Sequence, residues 1–322
     1  MSNLLARYAE TIFWLARYIE RAENIARIID VNETFSRDSR GGQNWASVLQ
    51  LYADDARYRA AYGTPTADGV IHFYTLDHTN PSSIVSALKI ARDNARTLRP
   101  LISTEMWTHM NMFYNRLRAM SADEVQQPRL PRFCAFVKEG CHTHYGITEG
   151  TFYRDEGWYF YQLGRSLERA DQTTRALDTK YHLLLPSVQD VGSPLDVSQW
   201  NALLRSVSGY HAFRRVHPSG MTPTDVAGFL LFHRAFPRSV VACIETVDAR
   251  LHELRSVYGL TGGADAMERL DELRHEIGHA RIHEVLKTGL HQYLDNLQGE
   301  LIQISRALGR DFFGYPAADA AR

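Results

Sequence analysis

The residues in this sequence that are best suited to chemistry are glutamates and arginines in two matching segments. Residues 15–30 and 163–178 align without gaps at an offset of 148 residues, and a Glu-Arg dipeptide begins at Glu20 in one and at Glu168 in the other. A carboxylate and a guanidinium group can form a forked ion pair, or hold a carboxylate-bearing ligand together with their neighbours. A period this long is not that of a solenoid, so it indicates a duplicated helical unit or two helices with the same task.

Helical periodicity places the polar side chains of each segment in one line. At about 100° per residue, each predicted helix carries a polar ridge, formed by Arg17, Glu20, Asn24 and Arg27 in the first and by Arg165, Glu168, Gln172 and Arg175 in the second. Three interpretations are open: a solvated face with pairs worth about 0.2–0.5 kcal/mol each, a ligand or substrate site, and an ion-pair network. Because the ridge recurs at the same phase, we favour the network, in which Glu20 and Glu168 are buried and each contacts an arginine of the opposite helix.

A second candidate site is the pentapeptide that begins at His275 and ends at His279, which fits the zinc-protease pattern H-E-x-x-H. Two histidines at i and i+4 on a helix can share a metal ion, and Glu300 or Asp295 could supply a third ligand. The chain has 14 histidines, however, so a chance match is the preferred interpretation. We predict no metal site here.

Other possible ligands and loops carry less weight. Cys134, Cys141, His142 and His144 have metal-capable atoms without a paired C-x-x-C spacing, and we predict a core cysteine at 134 and surface histidines near a helix end. The Gly-Gly pairs at 41–42 and 262–263 do not follow a strand and precede a helix, so they are predicted to be turns and not phosphate loops. No cofactor is expected.

Most of the sequence has the 3.6-residue periodicity of helices, and these helices must position the ridges. The predicted helices span 3–31, 44–61, 82–99, 104–119, 131–146, 155–184, Thr222 to near Phe236, 238–258, 264–286 and 288–310. One short strand candidate lies at 70–76, a loop at 36–44 and a linker at 186–196. The predicted fold is an all-α multi-helix bundle with the two related Glu-Arg helices packed centrally.

The linker divides the chain into regions that we expect to form one continuous domain. Residues 1–190 contain both Glu-Arg helices, residues 191–313 form a helical layer packed on them, and 314–322 are a frayed tail.

Composition narrows the classes of protein. Formal net charge is −1, from 36 Lys and Arg against 37 Asp and Glu, which argues against a general nucleic-acid binder. Three cysteines in 322 residues do not make a disulfide framework and favour a reducing compartment. No secretory signal and no apolar run of about 18 residues are found, so we expect a cytoplasmic protein without a membrane span. An oligomer is possible.

Several blocks of sequence, in order along the chain, resemble the bacterial alpha-E family, which is named for an α-helical domain with a Glu-Arg motif. They begin at Ile19, Asn80, Asn94, Ser103, Arg154, Leu167 and Phe236. The resemblance implies a cytosolic helical protein, encoded beside or fused to ATP-grasp-like amide ligases and transglutaminase-like proteins. It implies a role in making or trimming peptide-like amide bonds, and no catalytic residue is carried over.

The expected function is therefore that of an accessory protein which binds an ATP-grasp-like ligase or a transglutaminase-like protein. The alternative is an enzyme of that system, with a carboxylate-bearing peptide-like substrate in an Arg/Glu/Asn-lined pocket; a zinc hydrolase is a distant third. The candidate polar centre or binding site comprises Arg17, Glu20, Arg21, Asn24, Arg27, Asn94, Arg96, Arg154, Asp155, Arg165, Glu168, Arg169, Arg175 and Arg238. Ridges that face a closed interior would favour the accessory role, and ridges that face an open pocket would favour the enzyme.

Overall fold

The computed structural model describes residues 4–38, 45–183 and 194–316, and these form helices and turns without a strand. The all-α fold that the periodicity predicts is confirmed. In the first half the helices are α1 (Ala6–Asp38), α2 (Ala46–Leu51), α3 (Asp55–Tyr62), α4 (Ala67–Thr75), α5 (Ile84–Thr97), α6 (Thr104–Arg118), α7 (Ala122–Val125), α8 (Leu130–Thr151) and α9 (Glu156–Leu183).

The second half continues in the same way. Its helices are α10 (Pro194–Ser206), α11 (Tyr210–Val216), α12 (Pro223–Phe232), α13 (Val240–Tyr258), α14 (Ala264–His279), α15 (Ile282–Thr288) and α16 (Leu290–Leu308), followed by a π-helical turn at Gly309–Phe313. Among the described residues, no helix is both long enough and apolar enough to cross a membrane.

The strand predicted at 70–76 is wrong, because this segment forms α4. Val70 and Ile71 are adjacent in sequence and both fully buried, whereas a strand would send successive side chains to opposite faces. The Thr66 hydroxyl accepts the N–H of Gly69 and fixes the start of the helix. Burial in the helical core therefore overrides the β-propensity of the residue types.

Two of the predicted helices are interrupted. The segment 44–61 divides into α2 and α3 at Ala53, whose φ of 53° is left-handed. The segment 264–286 divides into α14 and α15 at Ala280 and Arg281, which both have extended backbone. Apolar periodicity continues across both breaks, so the pattern alone did not reveal them.

Side-chain caps start several helices at the predicted places. The hydroxyls of Ser83, Ser103, Thr222 and Ser239 each accept the backbone N–H three residues later. Pro223 at the first turn adds to the predicted start of α12. Helix α12 ends at Phe232, about one turn before the end predicted near Phe236.

The two longest helices, α1 of 33 residues and α9 of 28 residues, pack along each other. Their close approach depends on Gly164, because a Cβ there would lie 2.3 Å from the backbone oxygen of Phe13. Helices α5 and α8 pack on α1, and α13 and α16 pack on α9. The helices after residue 194 thus cover the same pair that the earlier helices cover.

The predicted loop, linker and tail lie partly outside the described residues. Helix α1 continues to Asp38, so the loop predicted at 36–44 begins too early, and 39–44 are outside the description. The same holds for 186–193 of the linker and for 317–322 of the tail. Tyr315 is not frayed, since its hydroxyl donates to Glu10 at 2.6 Å and accepts from Trp14 at 3.1 Å.

Candidate functional site

Glu20 of α1 is fully buried and is surrounded by donors from several helices. Arg169 of α9 donates its Nε to Oε1 at 2.9 Å and its Nη2 to Oε2 at 2.8 Å. Arg238, just before α13, donates Nη1 to Oε1 at 2.9 Å, and Tyr145 of α8 donates its hydroxyl to Oε2 at 2.7 Å. Asn24, one turn along α1, adds its Nδ2 at 3.1 Å. The carboxylate therefore joins α1 to three other parts of the fold.

Glu168 of α9 is buried in a matching way. Arg21 of α1 donates Nε to Oε1 at 2.6 Å and Nη2 to Oε2 at 3.0 Å, and Arg17 donates Nε to Oε2 at 2.8 Å. Gln172, the counterpart of Asn24 in the repeat, lies at 3.3 Å. The two Glu-Arg dipeptides therefore exchange partners across the helix pair, and the predicted contact of each glutamate with an arginine of the opposite helix is confirmed.

The two halves of this arrangement differ in their second arginine. Arg165 occupies the position in α9 that Arg17 occupies in α1, but its Nη1 lies 3.5 Å from Glu149 of α8 and not at Glu20. Arg238 supplies the second guanidinium group to Glu20 instead. Arg165 is thus a site residue predicted by the repeat that the structure places outside the centre.

Glu23, a third fully buried carboxylate, was not among the predicted site residues. Arg27 donates its Nε and Nη2 to Oε1 at 2.8 and 2.6 Å, and Arg238 donates Nη2 to the same oxygen at 2.5 Å. His142 of α8 approaches it with Nε2 at 3.1 Å. Within the described part of the chain, Oε2 has no hydrogen-bond partner. Arg238 therefore bridges two buried acids, which explains its own burial.

The repeat contained the signal for this third acid. Asp171 lies at the equivalent position of α9, and Arg175 donates Nε to it at 2.8 Å, as Arg27 does to Glu23 at the same i, i+4 spacing. An acid four residues before an arginine is a favourable helical pair. Arg27 and Arg175, the last residues of the two ridges, therefore pair within their own helices, whereas the Glu-Arg dipeptides pair between helices.

Burial by itself raises the pKa of these three glutamates, because it penalises the charged form. The guanidinium groups outweigh it: Arg169 and Arg238 hold the pKa of Glu20 well below its ordinary value. Arginines likewise outweigh burial at the other two carboxylates, where the pKa of Glu168 falls from 4.5 to about 2 and that of Glu23 also falls to about 2. All three carboxylates are therefore charged at neutral pH.

A small opening reaches this centre beside Glu168. A cleft of about 150 Å³ is lined by Arg21, Tyr52, Ser82, Glu168 and Arg175, among others. The Glu168 side chain is only 1% exposed behind its arginines, so the cleft offers guanidinium groups to solvent and not the carboxylate. The centre is accordingly closed on its acidic side.

Besides Arg165, four predicted site residues lie apart from the centre, because they sit at helix ends or on an exposed face. Arg96 is exposed, 3.9 Å from Asp93. Asp155 caps the start of α9 by accepting the N–H of Gly157, and Arg154 lies over the ring of Trp158. Asn94 is half-buried near the end of α5, and no contact with the buried glutamates is found among the described residues.

The possible metal ligands divide into two places. His275 and His279 are exposed with ring centroids 4.2 Å apart, and no third ligand completes a set with them in the described ranges. The absence of a metal there stays a prediction.

Elsewhere, Asp178, His291 and Asp295 converge. The Nδ1 of His291 lies 2.9 Å from Asp178 and its Nε2 lies 3.4 Å from Asp295, so the ring bridges two carboxylates.

The histidine prediction for α8 is partly wrong. His144 is fully buried in the middle of the helix, and burial lowers its pKa to about 3. Cys134 is in the core as predicted, and burial raises the pKa of its thiol. Helix α8 is longer than the predicted 131–146, and its face that carries Cys134 and His144 packs into the core. The polar residue types on this face did not indicate that it is buried.

The fold and the site define an all-α protein in which two Glu-Arg helices are joined by reciprocal ion pairs. The chain belongs to the Alpha-E family, described as a predicted alpha-helical domain with a conserved ER motif, whose model matches residues 4–313. The resemblance given by the sequence blocks is thereby confirmed.

Curated relatives include uncharacterized proteins of Mycobacterium bovis and Mycobacterium tuberculosis. Each is 22% identical over 321 residues, which cover 92% of this chain and 34% of the relative. This chain thus spans about a third of the length of the curated relatives it matches. No solved structure matches it.

Proposed function

We propose that this chain is an accessory, partner-binding protein of an ATP-grasp-type amide ligase system in the bacterial cytoplasm. The observation that carries the proposal is the buried centre in which Glu20, Glu23 and Glu168 each pair with arginines. A general acid or base needs a pKa near the working pH and contact with its substrate. These carboxylates have depressed pKa values and face arginines, so their role is to hold helices together.

The length of the relatives supports a role beside other protein units. In the mycobacterial proteins, the matching region makes up 34% of a longer chain. A helical unit that is part of a longer chain in one protein can serve as a separate subunit in another. The family resemblance supplies the partner in this proposal, an ATP-grasp-like ligase or a transglutaminase-like protein.

The test is copurification of the tagged chain from its native host, followed by mass spectrometry. We expect a ligase-like or transglutaminase-like protein in stoichiometric amount, and none with an unrelated tagged helical protein as control. Calorimetry should show no ATP binding to the chain alone, since no phosphate-cradling element is identified in its sequence. A chain that purifies alone, or that binds ATP tightly by itself, contradicts the proposal.

A second candidate is an enzyme of the same system that acts on a carboxylate-bearing, peptide-like substrate. The cleft of about 150 Å³ favours it, because Arg21 and Arg175 there offer donors that match a carboxylate. Ser82→Phe would fill this cleft without removing an ion pair. Unchanged stability with loss of amide-forming activity in the reconstituted system supports the enzyme, and unchanged activity supports the accessory role. Ser219→Phe, at an exposed turn position away from the cleft, is the matched control.

A further inference from the structure

A larger groove lies where α6 ends, α7 crosses and α8 begins. Its volume is about 520 Å³, within the range of roughly 300–1,000 Å³ that is usual for ligand pockets. The argument depends on Arg116, Arg129, Arg132 and Glu124 together with Met120 and Phe136 in its walls. None of these residues belongs to the Glu-Arg centre.

The groove carries more positive than negative charge, with three arginines and one glutamate in its walls. Arg116, Arg129 and Arg132 are exposed, and none of the three forms an ion pair within the part of the chain that the structure describes. Glu124 offsets part of this charge, since its carboxylate interacts with Arg129 and Arg132 while its Oε2 accepts the backbone N–H of Ser121 at 2.9 Å and the hydroxyl of the same residue at 3.2 Å. The groove therefore presents three cationic groups to solvent.

Two of these arginines stand where a helix disfavours them. Arg129 is the N-cap of α8 and Arg132 is in its first turn, which has no acidic residue and no side-chain cap. The N-terminus of a helix carries partial positive charge, so cations there are unfavourable and anions are favourable. Local rules are broken in this way mostly at functional sites. An anion in the groove would reverse the unfavourable interaction.

The walls add an apolar component. The Arg116 guanidinium lies 5.0 Å from the ring centroid of Phe136, which keeps it at the groove wall. Phe136 and Met120 are partly buried and pack against the core, so their remaining surface faces the groove. An occupant that combines carboxylates with apolar side chains would use both surfaces, whereas a simple inorganic anion would use only the arginines.

We propose that this groove binds an extended acidic segment of a partner protein, with carboxylates on the arginines and an apolar side chain against Met120 and Phe136. The formal net charge of −1 for the whole chain argues against nucleic acid as the occupant. The inference is independent of the proposed amide ligase system, since it concerns only the chemistry of the bound segment.

Fluorescence anisotropy with the full chain tests this. The probe is a fluorescein-labelled peptide of alternating glutamate and leucine, and the matched peptide replaces glutamate with glutamine. We expect the glutamate peptide to bind more tightly, with an affinity that falls as salt rises. Arg116→Gln and Arg132→Gln should each weaken it about threefold to fivefold, and the double variant about tenfold.

The control is the double variant Arg214→Gln and Arg215→Gln, at exposed positions of α11 outside the groove. It removes the same charge and should leave the peptide affinity unchanged. Equal loss in this control, equal binding of both peptides, or no binding of the glutamate peptide overturns the proposal. So does tighter binding of inorganic tripolyphosphate or of a single-stranded oligonucleotide at the same arginines.

Discussion

Arg169 binds Glu20 through its Nε and Nη2, and Arg21 binds Glu168 through the same two atoms, so each Glu-Arg dipeptide completes the other. Forked pairs of this kind are strong and fix the geometry of both partners. The motif is therefore a reciprocal lock between α1 and α9.

The first prediction concerns the stability that this lock provides. Glu20→Gln and Glu168→Gln should each lower the free energy of unfolding by about 3–5 kcal/mol, because each leaves buried or half-buried arginines without their counter-charge. Glu253→Gln, at an exposed pair with Arg250, should cost well under about 1 kcal/mol. Urea denaturation measures all three. Losses for the buried sites that are no larger than for the exposed one would show that the pairs are not needed for the fold.

The second prediction concerns pH. The pKa of Glu168 is lowered from 4.5 to about 2, and Glu23 behaves likewise. A carboxylate with a depressed pKa in the folded state stabilises the protein above its unfolded pKa, because only the unfolded chain then takes up protons as pH falls. The free energy of unfolding should therefore decrease from about pH 4.5 towards pH 2. Glu168→Gln should show a smaller decrease over this window, and an identical pH profile would refute the assignment.

The third prediction separates two arginines that are equivalent in the repeat. Arg17→Gln removes a partner of buried Glu168 and a bond to Ser305, and should cost about 2–3 kcal/mol or more. Arg165→Gln removes a 3.5 Å contact with exposed Glu149, a hydrogen bond to Gln162 and a contact with the Tyr145 ring. It leaves every buried carboxylate with its partners and should cost only about 1 kcal/mol. Thermal or urea unfolding compares them. Equal costs would mean that the asymmetry between the halves has no energetic consequence.

The fourth prediction concerns the close approach of α1 and α9. Gly164→Ala would place a Cβ 2.3 Å from a backbone oxygen that cannot rotate away, so the helices must separate and stability must fall. Gly146→Ala, in α8 with nothing near its Cβ, is the matched control and should stabilise by about 0.5–1 kcal/mol through helix propensity. A difference in melting temperature of opposite sign is expected for the two variants. Stabilisation by both would contradict the close contact.

The fifth prediction concerns metal. His275 and His279 should hold no stoichiometric zinc ion in the purified chain, since they lie on an exposed face without a third ligand nearby in the described residues. Elemental analysis is the measurement, with His279→Ala as the control. If the chain holds one zinc ion that is lost in His279→Ala, the zinc hydrolase interpretation would be favoured over a chance match to the pattern.

The reciprocal pairs could be predicted because the repeat placed identical residue types at the same helical phase. Arg238 was among the candidate site residues, but its pairing with Glu20 and Glu23 was not predicted. The contacts of Tyr145 and His142 could not be predicted, since both residues lie in α8 and no local pattern links them to α1. Without a repeat to align the partners, pairing across more than 100 residues depends on packing, which one sequence does not reveal.

The errors have a related cause. The segment 70–76 has strand-like residue types, yet burial on neighbouring positions favours a helix there. The break between α2 and α3 depends on the left-handed backbone of Ala53, a conformation that the sequence would usually mark with a glycine. His144 has a polar side chain at a position that faces the core. In each case tertiary packing overrides the local preference of the residue types.

The bridge that Arg238 makes to Glu20 and Glu23 also bears on how the chain acquires its structure during synthesis. The first 190 residues contain both Glu-Arg helices but lack this guanidinium group, so in such a fragment Glu20 keeps Arg169 and loses its second counter-ion. Each buried glutamate thus has an arginine partner within the first half, and Glu20 and Glu23 gain a shared second one only after residue 238 has left the ribosome.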